Sequence, residues 1–265
     1  MIRKLSILVT FFALFVISCT TVPITGRSQL ILLSEYQEIQ LGLSAYDQAL
    51  QENRLSTNKV YIDSVRRVGA RIALATEKNY DWEFNVLEAD MINAWCLPGG
   101  KIAFYEGILD IIDNEAQIAA VMGHEIAHAT ARHGGERMSL GILAQIGAVA
   151  LQIAMREKDP AVQYAVFQAY IPAVLIGVIL PFSRVQESEA DRIGLVYMAR
   201  AGYNPEEAAK FWEIMYEANK DKPRPPVWLS THPATLKRIK NIKEMVPDIM
   251  EIYLASEKAE IKKLH

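Results

Sequence analysis

The sequence predicts an α+β fold, mainly helical, with a small antiparallel sheet beside one central helix. Three observations predict it. Apolar residues recur at helical spacing over long stretches, as at Val60, Val65, Val68, Ile72 and Ala75. Strand character is confined to short segments between Trp82 and Tyr105. One apolar helical run, Ile118 to Ala131, carries two histidines and a glutamate among its hydrophobic residues.

The elements follow in order. Arg3 and Lys4 precede an apolar stretch from Leu5 to Ile17, a charged n-region and an h-region too short for a comfortable membrane span. Residues 1–18 therefore read as a signal peptide. Val16-Ile17-Ser18-Cys19 resembles a bacterial lipobox, with Cys19 as the lipidation site; an ordinary signal anchor with an incidental cysteine is the alternative. Residues 19–33 read as a lipidated tether. Ser34 and Gln37 form a capping box that opens a helix to about Gln51. Lys59 to Thr76 is a second helix. Trp82 to Val86 alternates like a strand, and Met91 to Cys96 and Lys101 to Tyr105 are short strands around a Pro98-Gly99-Gly100 turn.

Asn114 caps the central helix and Gly134-Gly135 end it, with His133 in its last turn. Two apolar runs follow, Leu140 to Ala154 and Ala165 to Phe182, split by Arg156-Glu157-Lys158-Asp159-Pro160. A membrane hairpin is one reading, although both runs are near or below spanning length and Gln168 and Pro172 interrupt the second. Arg184 to Arg200 is helical. Gly202 and Asn204-Pro205 end it and start a helix from Glu206 to Asn219. Lys222 to Pro226 is an extended loop, and a helix after Pro233 runs to about Met245. Pro247-Asp248 open a last, charged helix over residues 248–265.

The chemistry lies in His124-Glu125-Ile126-Ala127-His128. Positions i and i+4 share a helix face, so two imidazoles at that spacing bind one zinc ion without bending the backbone. Glu125 can reach a water on that ion, the geometry of a zinc peptidase. Glu187 and Asp191 are again i and i+4. A catalytic zinc takes three protein ligands and keeps one position open. Glu187 is the candidate third ligand, with Glu189 as its rival. Asp191 can accept a hydrogen bond from the outer nitrogen of a ligand histidine, or else pair with Arg192 or Arg184 at the surface.

These two motifs together resemble metallopeptidase family forty-eight, gluzincins related to the CAAX prenyl endopeptidases, and among them the periplasmic lipoprotein and mitochondrial Oma-type branches. The likeness runs from about Ser28 to Ile242. Asn93-Ala94 with Pro98-Gly99-Gly100-Lys101-Ile102 resembles the family's strand beside the cleft. The resemblance implies that Ala94, Gly99 and Gly100 bind substrate by β-augmentation; a plain hairpin is the even alternative. Ser230-Thr231-His232-Pro233 with Arg238-Ile239 resembles the downstream His-Pro motif. It implies that His232 lies near the metal, either as a catalytic donor to the oxyanion or as an occupant of the open site. Arg238 is the second candidate donor and a substrate-binding residue.

The resemblance further implies a zincin-like metalloprotease core over residues 34–247, one zinc per chain, and residues 139–182 as a cleft-covering segment. It points to an outer-membrane lipoprotein facing the periplasm of a Gram-negative bacterium. There it would be an endopeptidase acting on misfolded or stalled envelope proteins, with outer-membrane proteins and their assembly machinery as partners. A chaperone or scaffold with little proteolysis is the alternative, and an integral membrane protease using 139–182 is a third.

Composition sets limits on this. The formal charge is −3, and removing residues 1–18 takes away Arg3 and Lys4 and leaves −5. That excludes a basic nucleic-acid footprint. With Cys19 acylated, Cys96 has no intrachain partner, so no disulfide forms and Cys96 reads as a small buried apolar residue.

Overall fold

The computed structural model describes residues 19–221 and 225–265. The signal peptide expected over residues 1–18 lies outside them. The described chain forms two compact units: residues up to 35 with 132–186, and residues 36–131 with 187–265.

The second unit carries the central helix. Helix α1 spans Glu35–Glu52 and α2 spans Lys59–Ala75. Asn58 opens α2 by accepting hydrogen bonds from the Val60 and Tyr61 amides. Strands β3 (Glu83–Leu87), β4 (Ala94–Leu97) and β5 (Lys101–Tyr105) form one sheet in the order β3-β5-β4. The β4–β5 pair is antiparallel, as the turn at Gly99 and Gly100 dictates, but β3 runs parallel to β5, so the sheet is mixed where an antiparallel one was expected. The reason is order: β5 inserts between its two predecessors, and every one of its residues is buried. Gly99 and Gly100 both have φ of 88°, and a Cβ on Gly100 would strike the Trp82 ring, so this turn admits only glycine there.

The short α3 (Glu106–Leu109) leads into α4 (Glu115–Thr130). Every residue of α4 is buried except Ala120, which is partly so. That is why its sequence is apolar on all sides and not amphipathic. Asn114 caps it as expected, accepting from the Ala116 and Gln117 amides. Its end is not at Gly134-Gly135. Arg132 adopts φ of 58°, in the left-handed region, and breaks the helix two residues after Thr130.

Helix α10 (Leu236–Ala255) runs through Pro247, so no separate helix opens there. Residues 256–265 are not helical. They return to the start of α4, where the Lys262 carbonyl accepts from the Glu115 amide and the Leu264 amide donates to Asp113. An otherwise unpaired amide at a helix N-terminus is thereby satisfied, and Leu264 is buried.

In the first unit, residues 19–33 form a hairpin where a tether was expected. Strand β1 (Cys19–Thr21) pairs antiparallel with β2 (Ser28–Leu30). The hairpin is held by Arg27, which forks onto both oxygens of Glu136 at 2.7 and 2.8 Å, and by the Leu32 amide, which donates to Ser139. Helix α5 (His133–Met155) turns back through α6 (Pro160–Val174). A π-turn at Leu175–Ile179 then joins α6 to α7 (Leu180–Arg200). One helical rod therefore replaces the two expected pieces. Pro181 sits in the first turn of α7, directly after the widened turn, where a missing N–H is tolerated.

Candidate metal centre

Two helices of the second unit meet at glycines. A Cβ on Gly123 of α4 would lie 2.7 Å from the Gly194 carbonyl oxygen of α7, and one on Gly194 would lie 2.8 Å from the Gly123 carbonyl carbon. Only bare backbones approach this closely. The contact sets His124 and His128 opposite Glu187 and Asp191. Helices α8 (Glu206–Glu217) and α9 (Val227–Thr231) bring in Trp212 and Trp228, and His232 follows α9 directly.

Four side chains converge. One donor atom from each of His124, His128, Glu187 and His232 lies within 4.8 Å of the others. The His124 and His128 Nε2 atoms are 3.1 Å apart, and the Glu187 oxygens lie 3.4 and 3.3 Å from them. His232 Nδ1 completes the group, 3.1 Å from His124 Nε2 and 2.9 Å from Glu187 Oε2. Three imidazole nitrogens cannot all donate to one another, whereas lone pairs turned inward fit a metal ion. Glu189 is buried and stands outside this group, so the carboxylate rivalry is resolved for Glu187.

Behind the donors, Asp191 Oδ1 sits 3.0 Å from His124 Nδ1, which leaves Nε2 to face the donor cluster. Arg238 grips Asp191 with Nε at 2.9 Å and Nη2 at 2.6 Å. Its guanidinium lies flat over Trp212, 3.5 Å from the ring centroid, and Trp212 stacks on Trp228 at 5.0 Å. The Trp228 Nε1–H donates to Glu125 Oε1 at 2.8 Å. Arg238 Nη1 is buried without a hydrogen-bond partner, 3.3 Å from Glu187 Oε2.

The charges follow from these contacts. Burial raises the Glu187 and Asp191 carboxyls, but the histidines and Arg238 outweigh it, and both are held below the usual carboxylate range. For His124, burial and Arg238 push down, while Asp191 and Glu187 pull its pKa up to about 9. Burial, and then the nearby Glu125 charge, push the Cys96 thiol well up, so it is no nucleophile.

A profile of peptidase family M48 matches residues 57–246, most of the chain and the whole of this cluster. The chain belongs to peptidase family M48. Family membership and the donor cluster make it a metallopeptidase. It is 33% identical over 231 residues to the mitochondrial metalloendopeptidase OMA1 of Schizosaccharomyces pombe, covering 86% of this chain and 66% of that one. To the Saccharomyces cerevisiae OMA1 it is 31% identical over 255 residues, covering 89% and 71%. To the beta-barrel assembly-enhancing protease of Escherichia coli it is 29% identical over 233 residues, covering 85% of this chain and 47% of that one. The chain thus spans between about half and seven-tenths of the length of these relatives.

These likenesses correct the expected compartment. The two yeast mitochondrial metalloendopeptidases match with higher identity than the bacterial protease, and a Gram-negative periplasmic outer-membrane lipoprotein is not supported. That expectation rested on the charged and apolar residues before Cys19, which lie outside the described structure, and a charged apolar leader does not by itself fix the sorting pathway.

The sequence motifs located the donors and their carboxylate neighbour. Trp212, Trp228, Gly123 and Gly194 went unread. The signal for the glycines was present: each interrupts a helix at a cost of about 1 kcal/mol relative to alanine, which marks a close packing contact.

Proposed function

We propose that this chain is a zinc-dependent endopeptidase that hydrolyses internal bonds of misfolded or stalled polypeptides. The observation that carries the reading is the spacing of the four donor atoms. A tetrahedral zinc at about 2.0–2.1 Å from its ligands has ligand–ligand edges of about 3.3 Å. Five contacts within the group run from 2.9 to 3.4 Å, with Glu187 facing His128 through one oxygen and His124 and His232 through the other, and one atom from each of the four lies within 4.8 Å of the rest. Zinc bound there supplies a Lewis acid that lowers the pKa of water towards 7 and stabilises developing negative charge.

The chain's own groups do the rest. Glu125 is the general base: one oxygen is fixed by Trp228, and the other is left to take a proton from water and pass it to the leaving amide nitrogen. Asp191 and Arg238 fix the His124 ring. Arg238, whose buried Nη1 lies 3.3 Å from Glu187 Oε2, is the cation beside the donor cluster and the candidate donor to the oxyanion. His232, whose Nδ1 lies in the donor cluster, would compete with water for a metal held by His124, His128 and Glu187. Strand β4 is the free edge of its sheet. Asn93 and Tyr105 face each other through a backbone hydrogen bond, so the alternating ladder turns the Ala94 and Cys96 amides and carbonyls outward, ready to pair with an extended polypeptide.

Glu125→Gln is the direct test, with an unfolded polypeptide such as casein as substrate. The expected result is a loss of roughly 10²–10⁴-fold in hydrolysis with metal content unchanged. Retained hydrolysis would remove Glu125 from the mechanism.

A further inference from the structure

The helical hairpin of the first unit has no use in the chemistry above, and its surface does not suit water. Residues 138–155 contain 18 residues and residues 160–183 contain 24 without one charged side chain. As helix these runs measure about 27 and 36 Å, which matches a hydrocarbon core of about 30 Å. Both belong to helices long and apolar enough to cross a membrane, and almost none of either apolar window is buried. A core helix of a soluble protein would be covered.

Exposure is not confined to one face. Ile171, Pro172, Ala173, Leu175, Ile176, Gly177, Val178, Leu180, Pro181 and Phe182 are all exposed, on every side of the rod. A docked protein covers one face of a helix; only a surrounding apolar medium covers all of them. Gln145 and Gln168 are exposed in these runs, but one mid-span polar group is satisfied internally. Tyr170, in mid-span, donates its hydroxyl hydrogen to the Ala144 carbonyl at 2.7 Å, over Gly147, where a Cβ would come within 2.4 Å of that oxygen. A partly buried hydroxyl is thus satisfied inside the hairpin, against small residues, as lipid requires.

Charge is placed at the ends. Arg156, Glu157, Lys158 and Asp159 form the turn. At the base, Arg27, Glu136, Arg137 and Gln186 form a polar collar. Gln186 Nε2 donates to Glu136 at 2.7 Å and Arg137 donates to Gln186 at 3.3 Å.

We propose that residues 138–183 cross a lipid bilayer as an antiparallel helical hairpin, with the charged turn 156–159 on the far side and the Arg27–Glu136–Gln186 collar at the near surface. Of the two readings the sequence allows for this segment, a cover for the cleft and a membrane hairpin, the exposure favours the second.

The test uses the full chain carrying Cys19→Ser and Cys96→Ser, with one new cysteine labelled by bimane. The positions are Ile146→Cys and Ile176→Cys, with Val149→Cys and Leu175→Cys as second choices, and Leu74→Cys as the control outside the hairpin. All five sites are exposed, so the substitutions leave the fold intact, checked by circular dichroism. The protein is reconstituted in phosphatidylcholine and phosphatidylethanolamine vesicles. The expected result is quenching of the hairpin labels by brominated acyl chains and loss of their quenching by aqueous iodide, with the reverse at position 74. Hairpin labels quenched by iodide would overturn insertion. Hairpin labels protected from both quenchers would also overturn it, in favour of a protein partner or a second copy.

Discussion

At the residue scale, the site depends on how each donor is held. Glu125 shares one oxygen with the Trp228 indole, and a hydrogen bond to a charged group is worth about 1.5–3 kcal/mol. Trp228→Phe keeps an aromatic ring against Trp212 and removes only the N–H. It should lower kcat by roughly ten- to a hundred-fold and leave KM and metal content in place. An unchanged kcat would show that the indole packs and nothing more. His232 makes the opposite case. Its Nδ1 lies in the donor cluster, 2.9 Å from Glu187 Oε2, and its Nε2 is 3.7 Å from Glu125. His232→Ala should retain one metal per chain, since three donors remain, and should raise the peptidase rate. A slower enzyme with full metal would make His232 a participant and not an occupant.

At the element scale, the decisive contact is the crossing of α4 and α7 at Gly123 and Gly194. By propensity alone Gly194→Ala should stabilise α7 by about 1 kcal/mol. A backbone within 3 Å of the new Cβ reverses that sign, because it cannot rotate away. The expected result is a helical protein with weakened metal binding, read by titration with a chromogenic chelator. Wild-type affinity would mean that the crossing does not set the donor spacing. This contact also explains what the sequence revealed. The i, i+4 pairs on α4 and α7 were readable because helix geometry is local. Their approach was not, because it depends on what two distant glycines lack. The end of α4 was placed at Gly134-Gly135 because glycine is the usual stop, yet Arg132 took the left-handed conformation and the glycines lie inside α5. Pro247 was read as a helix start and lies inside α10, where packing of Val246 and Ile249 outweighs the lost hydrogen bond.

At the scale of the whole molecule, the chain divides its labour. One unit gathers every donor, the base and the free edge of β4; the other presents two uncharged helical runs, joined by a charged turn, above a polar collar. The mainly helical α+β class was legible because most of the chain carries helical periodicity and only short stretches alternate. The parallel pairing of β3 with β5 was not, since no local signal tells which of two neighbours a central strand will admit. The compartment was the least legible, because the expectation rested on residues 1–18, which lie outside the described residues. The central claim is a zinc site built from two imidazoles of α4 and a carboxylate of α7. Metal analysis of the purified chain by mass spectrometry, beside Glu187→Ala, tests it most directly. One zinc per chain is expected in the native protein, and its loss, together with loss of peptidase activity, in the variant. A native protein without zinc, or a variant that keeps one zinc per chain, would contradict it.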